Sequence, residues 1–291
     1  MQTILIQLDT DGQASIFDRV VAVDSGVAQI FSCPGVTPEN VTSLVHGAIF
    51  TRGPTDLKNT AIFIGGSSAA VGEAVQKKVL KAFFGPLRVS VMMDSNGCNT
   101  TAAAAVATAR KHMPLTGLLA TVLGATGPVG LRAAELLASE GAEVTMVSRT
   151  FERAQSAAAV VRERVPAAVV RPVAATDPQQ NEASCQGAAM VVAAGAAGAA
   201  LLTSGALQRL SQLKLAIDLN AVPPLGLSDV SAMDKGVTHH GVLCYGALGV
   251  GGLKMKVHRQ CVASLFESSD RLLDTQAIYQ TARRTAGITE Q

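Results

Sequence analysis

Aromatic side chains are scarce in this chain of 291 residues, at 3%, although 48% of its residues are hydrophobic. A core with few rings must be filled by closely packed Ala, Val, Leu, Ile and Gly, the usual makeup of α/β proteins. Charge imbalance is equally small: 24 Lys and Arg stand against 22 Asp and Glu, a net +2. So slight and scattered an excess makes no basic face for a phosphate backbone, which excludes nucleic acid as a partner. No apolar run is long enough to cross a bilayer, and no membrane partner is expected. Met1-Gln2-Thr3-Ile4 runs into an apolar stretch without a basic segment or a small-residue cleavage site, which predicts no secretory leader. Cys33, Cys98, Cys185, Cys244 and Cys261 are odd in number, widely spaced and free of CxxC or Cys/His pairing. They predict no metal site and read as reduced core thiols of a cytoplasmic protein.

What is present is alternation. The length suggests two domains, since single cores rarely grow much beyond ~250 residues. Up to Pro114, residues 3–8, 19–23, 60–64 and 88–92 read as strands, and 38–49, 68–84 and 99–111 have helical spacing. Met113-Pro114-Leu115-Thr116-Gly117 is a break, after which a second series starts. It has strands at 118–123, 143–147, 168–171, 190–193 and 215–219 and helices at 128–139 and 150–165. The fold class expected is α/β and two-lobed: a Rossmann-type doubly wound parallel sheet plus an N-terminal α/β substrate domain. The boundaries expected are 1–114 for the N-terminal domain and 115–269 for the nucleotide domain, which takes in a helix at 253–267. The last helix, 275–286, within a C-terminal segment of about 270–291, is expected to return to the first lobe.

The strongest motif is Gly124-Ala125-Thr126-Gly127-Pro128-Val129-Gly130, placed after an apolar strand and opening an amphipathic helix. Gly124 permits the tight turn, Gly127 lets the backbone approach a pyrophosphate, and Gly130 lets the helix lie close on the sheet, its N-terminus facing the anion. Ala125 stands where the commoner pattern has a glycine. At the end of the next strand a dinucleotide fold usually carries Asp or Glu for the ribose hydroxyls. Here the chain reads Ser148-Arg149-Thr150, with Arg153 one turn into the helix. These groups can donate to a 2′-phosphate and Arg149 can neutralise it, so the preferred cofactor is NADP(H), with NAD as the alternative nucleotide. The other reading of Arg149 is a solvated surface residue. A second glycine turn, Ala194-Gly195-Ala196, follows the fourth strand and would let the backbone lie along the nicotinamide ribose, or else is a mobile loop.

Beyond the cofactor unit, long and uncommon strings resemble the bacterial methylene-tetrahydromethanopterin dehydrogenase family over nearly the whole chain. They include Leu8-Asp9-Thr10-Asp11 with Ser15-Ile16-Phe17-Asp18, Phe50-Thr51-Arg52-Gly53, and Phe83-Phe84-Gly85-Pro86-Leu87-Arg88-Val89-Ser90. Met93-Asp94-Ser95-Asn96-Gly97-Cys98-Asn99-Thr100-Thr101-Ala102, Asn220-Ala221-Val222-Pro223-Pro224-Leu225-Gly226 and the stretch from Gly246 to Arg259 belong to the same set. The resemblance implies oxidation of the methylene bridge of a reduced pterin of the tetrahydromethanopterin type to the methenyl cation, with NAD(P)+ taking the hydride. Family members differ in whether they also accept tetrahydrofolate and in their choice of nucleotide. Asn220 enters the cofactor set on this ground, and Phe17, Asp18, Ser95, Asn96, Asn99, Thr100, Thr101, Lys254 and Lys256 form the substrate set.

Loss of hydride from a carbon between two nitrogens leaves an amidinium cation, so the step needs alignment rather than a general base. No Ser/His/Asp set is evident, and the pair His239-His240 reads as a surface loop. The developing charge favours a nearby carboxylate, and Asp18 and Asp94 are the candidates. For the segment 94–100, helix capping and substrate contact both remain open. Gly249-Val250-Gly251-Gly252 reads as a flexible lead that delivers Lys254, which shares a helical face with His258 while Lys256 points away. The candidate catalytic residues are therefore Lys254 and Asp94. Two other readings compete: another two-lobed NADP enzyme, of the shikimate type, and a protein that senses NADP(H) without turnover. Small apolar helices and few charges suggest a homo-oligomer.

Overall fold

The computed structural model describes residues 1–288, so the last residues of the expected C-terminal segment, 289–291, lie outside the described residues. The chain forms two compact units, one of Met1–Thr100 with Met255–Thr281, the other of Thr101–Lys254 with residues 282–288.

The first unit is a wholly parallel sheet of β1 (Ile4–Asp9), β2 (Gln29–Cys33), β3 (Thr60–Gly65), β4 (Ser90–Met93) and, later in the chain, β12 (Leu272–Leu273), ordered β12-β4-β3-β1-β2. The inner strands β3 and β4 are buried at every position, which is why their sequences are continuous apolar runs and do not alternate. The crossovers include α1 (Ile16–Asp24), α2 (Val41–Ile49) and α3 (Ala69–Ala82). Ser68 starts α3 by accepting from the amide of Val71, and Ala69, Gly72, Val75 and Val79 form its buried stripe.

The second unit holds β5 (Leu119–Leu123), α5 (Pro128–Ser139), β6 (Glu143–Ser148), α6 (Phe151–Arg164), β7 (Val169–Ala174), α7 (Pro178–Ser184), β8 (Met190–Ala193), α8 (Ala206–Arg209), β9 (Leu215–Asp218), β10 (Lys235–His239) and β11 (Val242–Tyr245). Its sheet runs β10-β11-β9-β8-β5-β6-β7, all parallel except β10 at one edge. The chain steps outward from β5 through β6 to β7 and then returns to β8 on the other side of β5. That reversal places a crevice beyond the carboxyl ends of β5 and β8, where this fold class holds its ligands.

The units change over inside α4 (Cys98–His112) and again at the Lys254/Met255 junction inside α9 (Ala247–Ser264). The sequence places these changes at 114 and 269. A continuous helix carries no turn signal where it leaves one core, so the break at Pro114 marks the end of the helix and not the change of unit. The final helix, α10, is Thr275–Thr285.

Three local expectations need correction. Residues 19–23 belong to helix α1, not to a strand: the β-branched run Val20-Val21 lies behind a cap in which Ser15 accepts from the amide of Asp18. Gly249, Gly251 and Gly252 lie within α9 and do not form a flexible lead. A Cβ on Gly249 would strike the carbonyl of Asp234, and one on Gly246 that of Ser231, so close packing demands at least these two glycines. His239 ends β10, and His240 (φ 52°) with Gly241 (φ 82°) makes the tight turn into β11. His239 is anchored there, its Nε2 2.7 Å from Oδ2 of Asp234. Among the described residues, no helix is long and apolar enough to cross a membrane.

Candidate functional site

In the second unit the site grows from the end of β5. Gly124 has φ +75°, and a Cβ there would stand 2.7 Å from the Cα of Gly195 and 2.8 Å from its nitrogen. The turns after β5 and β8 thus pass backbone against backbone, which only glycine permits. Gly130 is equally constrained from within, since a Cβ would meet the Gly124 carbonyl as α5 folds back over the turn.

Gly127 differs. Its φ of −73° is ordinary, and a Cβ would find only the carbonyls of Gly124 at 3.4 Å and Ala194 at 3.5 Å, normal contact distances. Among the described residues, nothing requires glycine at this position. It caps α5, with Pro128 in the first turn, so the bare backbone adjoins a helix N-terminus that attracts anions. A phosphate approaching that terminus would meet bare backbone. The groove therefore fits a dinucleotide. Ala125 is turned inward, fully buried, with its amide donating to the Val147 carbonyl at 3.0 Å.

The structure separates the residues at the end of β6. The hydroxyl of Ser148 is 3.2 Å from that of Thr126, so it links the two turns and is mostly buried. Thr150 caps α6, accepting from the amide of Arg153 at 3.4 Å. Arg149 and Arg153 are exposed. The loop after β8 is held at several points: Ala194 donates to the Leu123 carbonyl, Asn181 donates to the carbonyl of Leu201, and Leu201 and Leu202 both donate to that of Gly226. Asn220 spends its side chain on its own loop, donating to the Pro224 carbonyl at 3.2 Å and accepting from the amide of Val222 at 3.0 Å.

In the first unit the chain reverses between β1 and β3, and their carboxyl ends carry a polar cluster. Asp9, fully buried, accepts from the amides of Asp11 and Ser15 and so shapes the turn into α1. Asp11 accepts from the amide and the hydroxyl of Ser67 after β3. The carboxylate of Asp18 lies over Gly65, its Oδ2 3.2 Å from where a Cβ would be. Phe17 beside it is half exposed, with its ring centroid 6.3 Å from that of His258, which stacks on Phe63 at 5.6 Å.

After β4, Asp94 settles part of what the sequence left open. Its Oδ1 accepts from the amides of Asn99 (2.8 Å) and Thr100 (3.0 Å), and its Oδ2 from the Thr100 hydroxyl (2.6 Å). It is the cap of α4. Ser95 is buried and donates to the Gly65 carbonyl, while Asn99, also buried, donates to the Met93 carbonyl and accepts from the hydroxyl of Thr275. Asn96, at φ 56°, is exposed, and Thr101 and Lys254 are partly so; Lys256 is exposed. Of the residues nominated from sequence for the substrate, Phe17, Asp18, Asn96, Thr101, Lys254 and Lys256 thus offer surface, and Ser95, Asn99 and Thr100 hold the framework.

Sequence reasoning missed Asp9 and Asp218, each the last residue of a strand and each buried. The available signal was an acidic residue closing an apolar run.

Comparison with known proteins agrees with this geometry. A family model described as methylene-tetrahydromethanopterin dehydrogenase, N-terminal, matches residues 16–96. The chain is 47% identical over 285 residues to the "Bifunctional protein MdtA" of Methylorubrum extorquens, covering 97% of this chain and 99% of that protein. It is 32% identical over 295 residues to the "NAD(P)-dependent methylenetetrahydromethanopterin dehydrogenase" of the same organism, covering 98% and 99%. In fold it is similar to quinate dehydrogenase from Corynebacterium glutamicum in complex with NAD, with TM-score 0.55 over 97% of this chain and 99% of that one, at 16% identity. That likeness speaks for the Rossmann-type architecture alone, whereas the two relatives match from end to end, and on their evidence the chain belongs to the methylene-tetrahydromethanopterin dehydrogenase family.

Proposed function

We propose that this chain is an NADP-dependent dehydrogenase that removes hydride from the methylene bridge of a pterin of the methylene-tetrahydromethanopterin type, acting as a cytoplasmic homo-oligomer. The observation that carries the nucleotide half is Gly127, a bare backbone at the N-terminus of α5 that nothing internal requires. The family relatives carry the pterin half, one of them by its name.

The second unit binds the nucleotide. The turn 124–130 takes the diphosphate, and Arg149, exposed beside the capped start of α6, meets the 2′-phosphate, with Ser148, Thr150 and Arg153 around it. NAD lacks that phosphate and binds as the weaker alternative. The first unit binds the pterin. Phe17 offers a half-exposed ring to a flat heterocycle, and Asp18 a carboxylate where positive charge develops. Asp94 holds the start of α4; Lys256, in the same unit, and Lys254, the residue at the junction inside α9, supply donors to the pterin's oxygen and nitrogen atoms.

In the reaction the bridge C–H bond breaks and its electron pair leaves with the hydrogen, so the cation remains shared by the two flanking nitrogens. When bound, the nicotinamide ring accepts that hydride. No proton moves, and the protein's task is alignment and charge stabilisation.

The test is to supply methylene-tetrahydromethanopterin and, separately, methylene-tetrahydrofolate with NADP+ or NAD+ and follow reduced nucleotide by absorbance. Turnover with the first pterin and preference for NADP+ are expected. No turnover with either pterin would leave binding without chemistry, the behaviour of an NADP(H) sensor.

A further inference from the structure

Asp218, the last residue of β9, is almost completely buried. Its Oδ1 accepts from the amide of Asn220 at 3.0 Å and its Oδ2 from that of Leu227 at 2.8 Å, so one carboxylate clasps both ends of the loop 219–227. Gly226 lies so close that a Cβ would stand 2.7 Å from Oδ1 of Asp218 and 3.2 Å from Cβ of Ala193. The carbonyl of Gly226 in turn accepts from Leu201 at 2.8 Å and Leu202 at 3.0 Å, and Ser228 donates back to Leu202 at 3.1 Å. The Leu201 side chain packs against Gly195, where a Cβ would lie 2.8 Å from its Cδ1. A continuous chain of contacts thus runs from Asp218 through Gly226 and Leu201 to Gly195, which faces Gly124.

We propose that Asp218 is a positioning residue for the nicotinamide half of the cofactor, one buried carboxylate that sets the loops after β8 and β9 together. This rests on the reading of the second unit as the nucleotide site. The loops it sets lie beyond the ends of β8 and β9, on the far side of the β5/β8 switch point from the adenosine end at Arg149. Two backbone N–H groups aimed at two carboxylate oxygens give it its role, because only an acceptor on both sides satisfies them. Burial raises the pKa of Asp218, while the amides of Leu227, Asn220 and Gly226 pull the other way. On protonation, one oxygen becomes an O–H facing an N–H, and the clasp opens on that side.

The experiment uses the full chain as wild type, Asp218→Asn and Gly226→Ala, with two ligands: NADP+ and adenosine 2′,5′-bisphosphate, which is its adenosine half alone. Dissociation constants for both and kcat with methylene-tetrahydromethanopterin are measured. Both variants are expected to keep adenosine bisphosphate affinity within about twofold, and Asp218→Asn to lose at least about tenfold in kcat, since small misplacements of reacting groups cost that much or more. The advantage of NADP+ over its adenosine half should shrink in both variants. The wild-type kcat should also fall on acidification at a higher pH than an ordinary carboxylate would give, and Asp218→Asn should lose that acid limb. Parallel losses for both ligands, or an unchanged advantage of NADP+, would overturn the proposal. The ligand comparison needs no turnover, so a failure of the pterin reading leaves it decisive. If Asp218→Asn does not fold, Gly226→Ala, which presses on the same carboxylate, decides by the same measurements.

Discussion

Gly124 and Gly195 face each other so closely that a Cβ on the first would stand 2.7 Å from the Cα of the second. A Cβ on Gly127, only a few residues on, would meet no atom of the described residues closer than 3.4 Å. The two glycines of one motif should therefore respond differently to the same added methyl group. Gly124→Ala forces both a positive φ and a backbone clash, and should lower unfolding stability by ~2 kcal/mol or more. Gly127→Ala should keep the melting temperature and lose at least about tenfold in NADP+ affinity, about 1.4 kcal/mol. Thermal melts paired with calorimetric titration check both. Equal NADP+ affinity in Gly127→Ala and wild type would remove the phosphate from that turn.

Arg149 is exposed, while its neighbour Ser148 is mostly buried and bonded to Thr126. Arg149→Ala should therefore leave stability within about 0.5 kcal/mol of wild type. Its KM for NADP+ should rise about tenfold or more while that for NAD+ stays where it was, because a charge-assisted contact to the 2′-phosphate is lost and nothing else is. Steady-state kinetics with the two nucleotides measure the ratio. A KM for NADP+ equal to the wild-type value would return Arg149 to the solvated surface.

The parallel sheet of the second unit and the strand, turn and helix of the nucleotide motif were legible because buried parallel strands write themselves as apolar runs and helix caps as Ser, Thr or Gly. Helix α1 was not legible, because Val20-Val21 favours a strand locally and only the Ser15 cap and the burial of Val21 and Ala22 decide otherwise. Strand β2 sits at a sheet edge with mixed exposure and has neither period. Gly249 reads as part of a flexible lead, yet it and Gly246 mark where backbone from 231–234 presses on the start of α9, a fact of tertiary contact that no local pattern carries. At the candidate site the same limit applies: Asp94, Asn99 and Thr100 are polar residues after a strand in any reading, and only the folded turn brings them to bond to one another.

Because both oxygens of Asp94 are committed to Asn99 and Thr100, Asp94→Ala should destabilise the protein by ~2 kcal/mol, the upper range for a lost helix cap. Asp94→Asn retains an acceptor for the two amides and should recover most of that stability together with most of kcat. Denaturant unfolding and turnover of the two variants provide the check. Full stability with kcat reduced tenfold in the Asn variant would instead give the negative charge of Asp94 a part in the reaction.

Burial pushes the thiol of Cys185 up to about 12 and that of Cys244 up to about 11, and raises Cys33 as well, although Cys33 is only partly buried. The thiolate is the reactive form, so raising the pKa lowers reactivity at any pH below it. Native protein treated with iodoacetamide near pH 8 should label at Cys33 first, with Cys185 and Cys244 modified only after denaturation. Peptide mass spectrometry reads the order directly, and rapid labelling of Cys185 in the folded state would contradict its burial.

Lys254 and Lys256 are separated by one residue on α9 and differ in setting: Lys254 is partly buried and shares a face with the buried His258, whereas Lys256 is exposed. A donor to the pterin must be held in place, and a partly buried lysine has fewer rotamers to lose than an exposed one. Lys254→Ala should therefore raise the KM for the pterin or lower kcat by about tenfold, and leave the NADP+ dissociation constant unchanged. Lys256→Ala should alter either by no more than about twofold. Lys254→Arg keeps the charge but broadens the donor into a planar fork, and should rescue only part of the loss. If Lys256→Ala proved the more damaging of the two, the pterin would approach α9 from its exposed face, and the assignment of Lys254 would have to be given up.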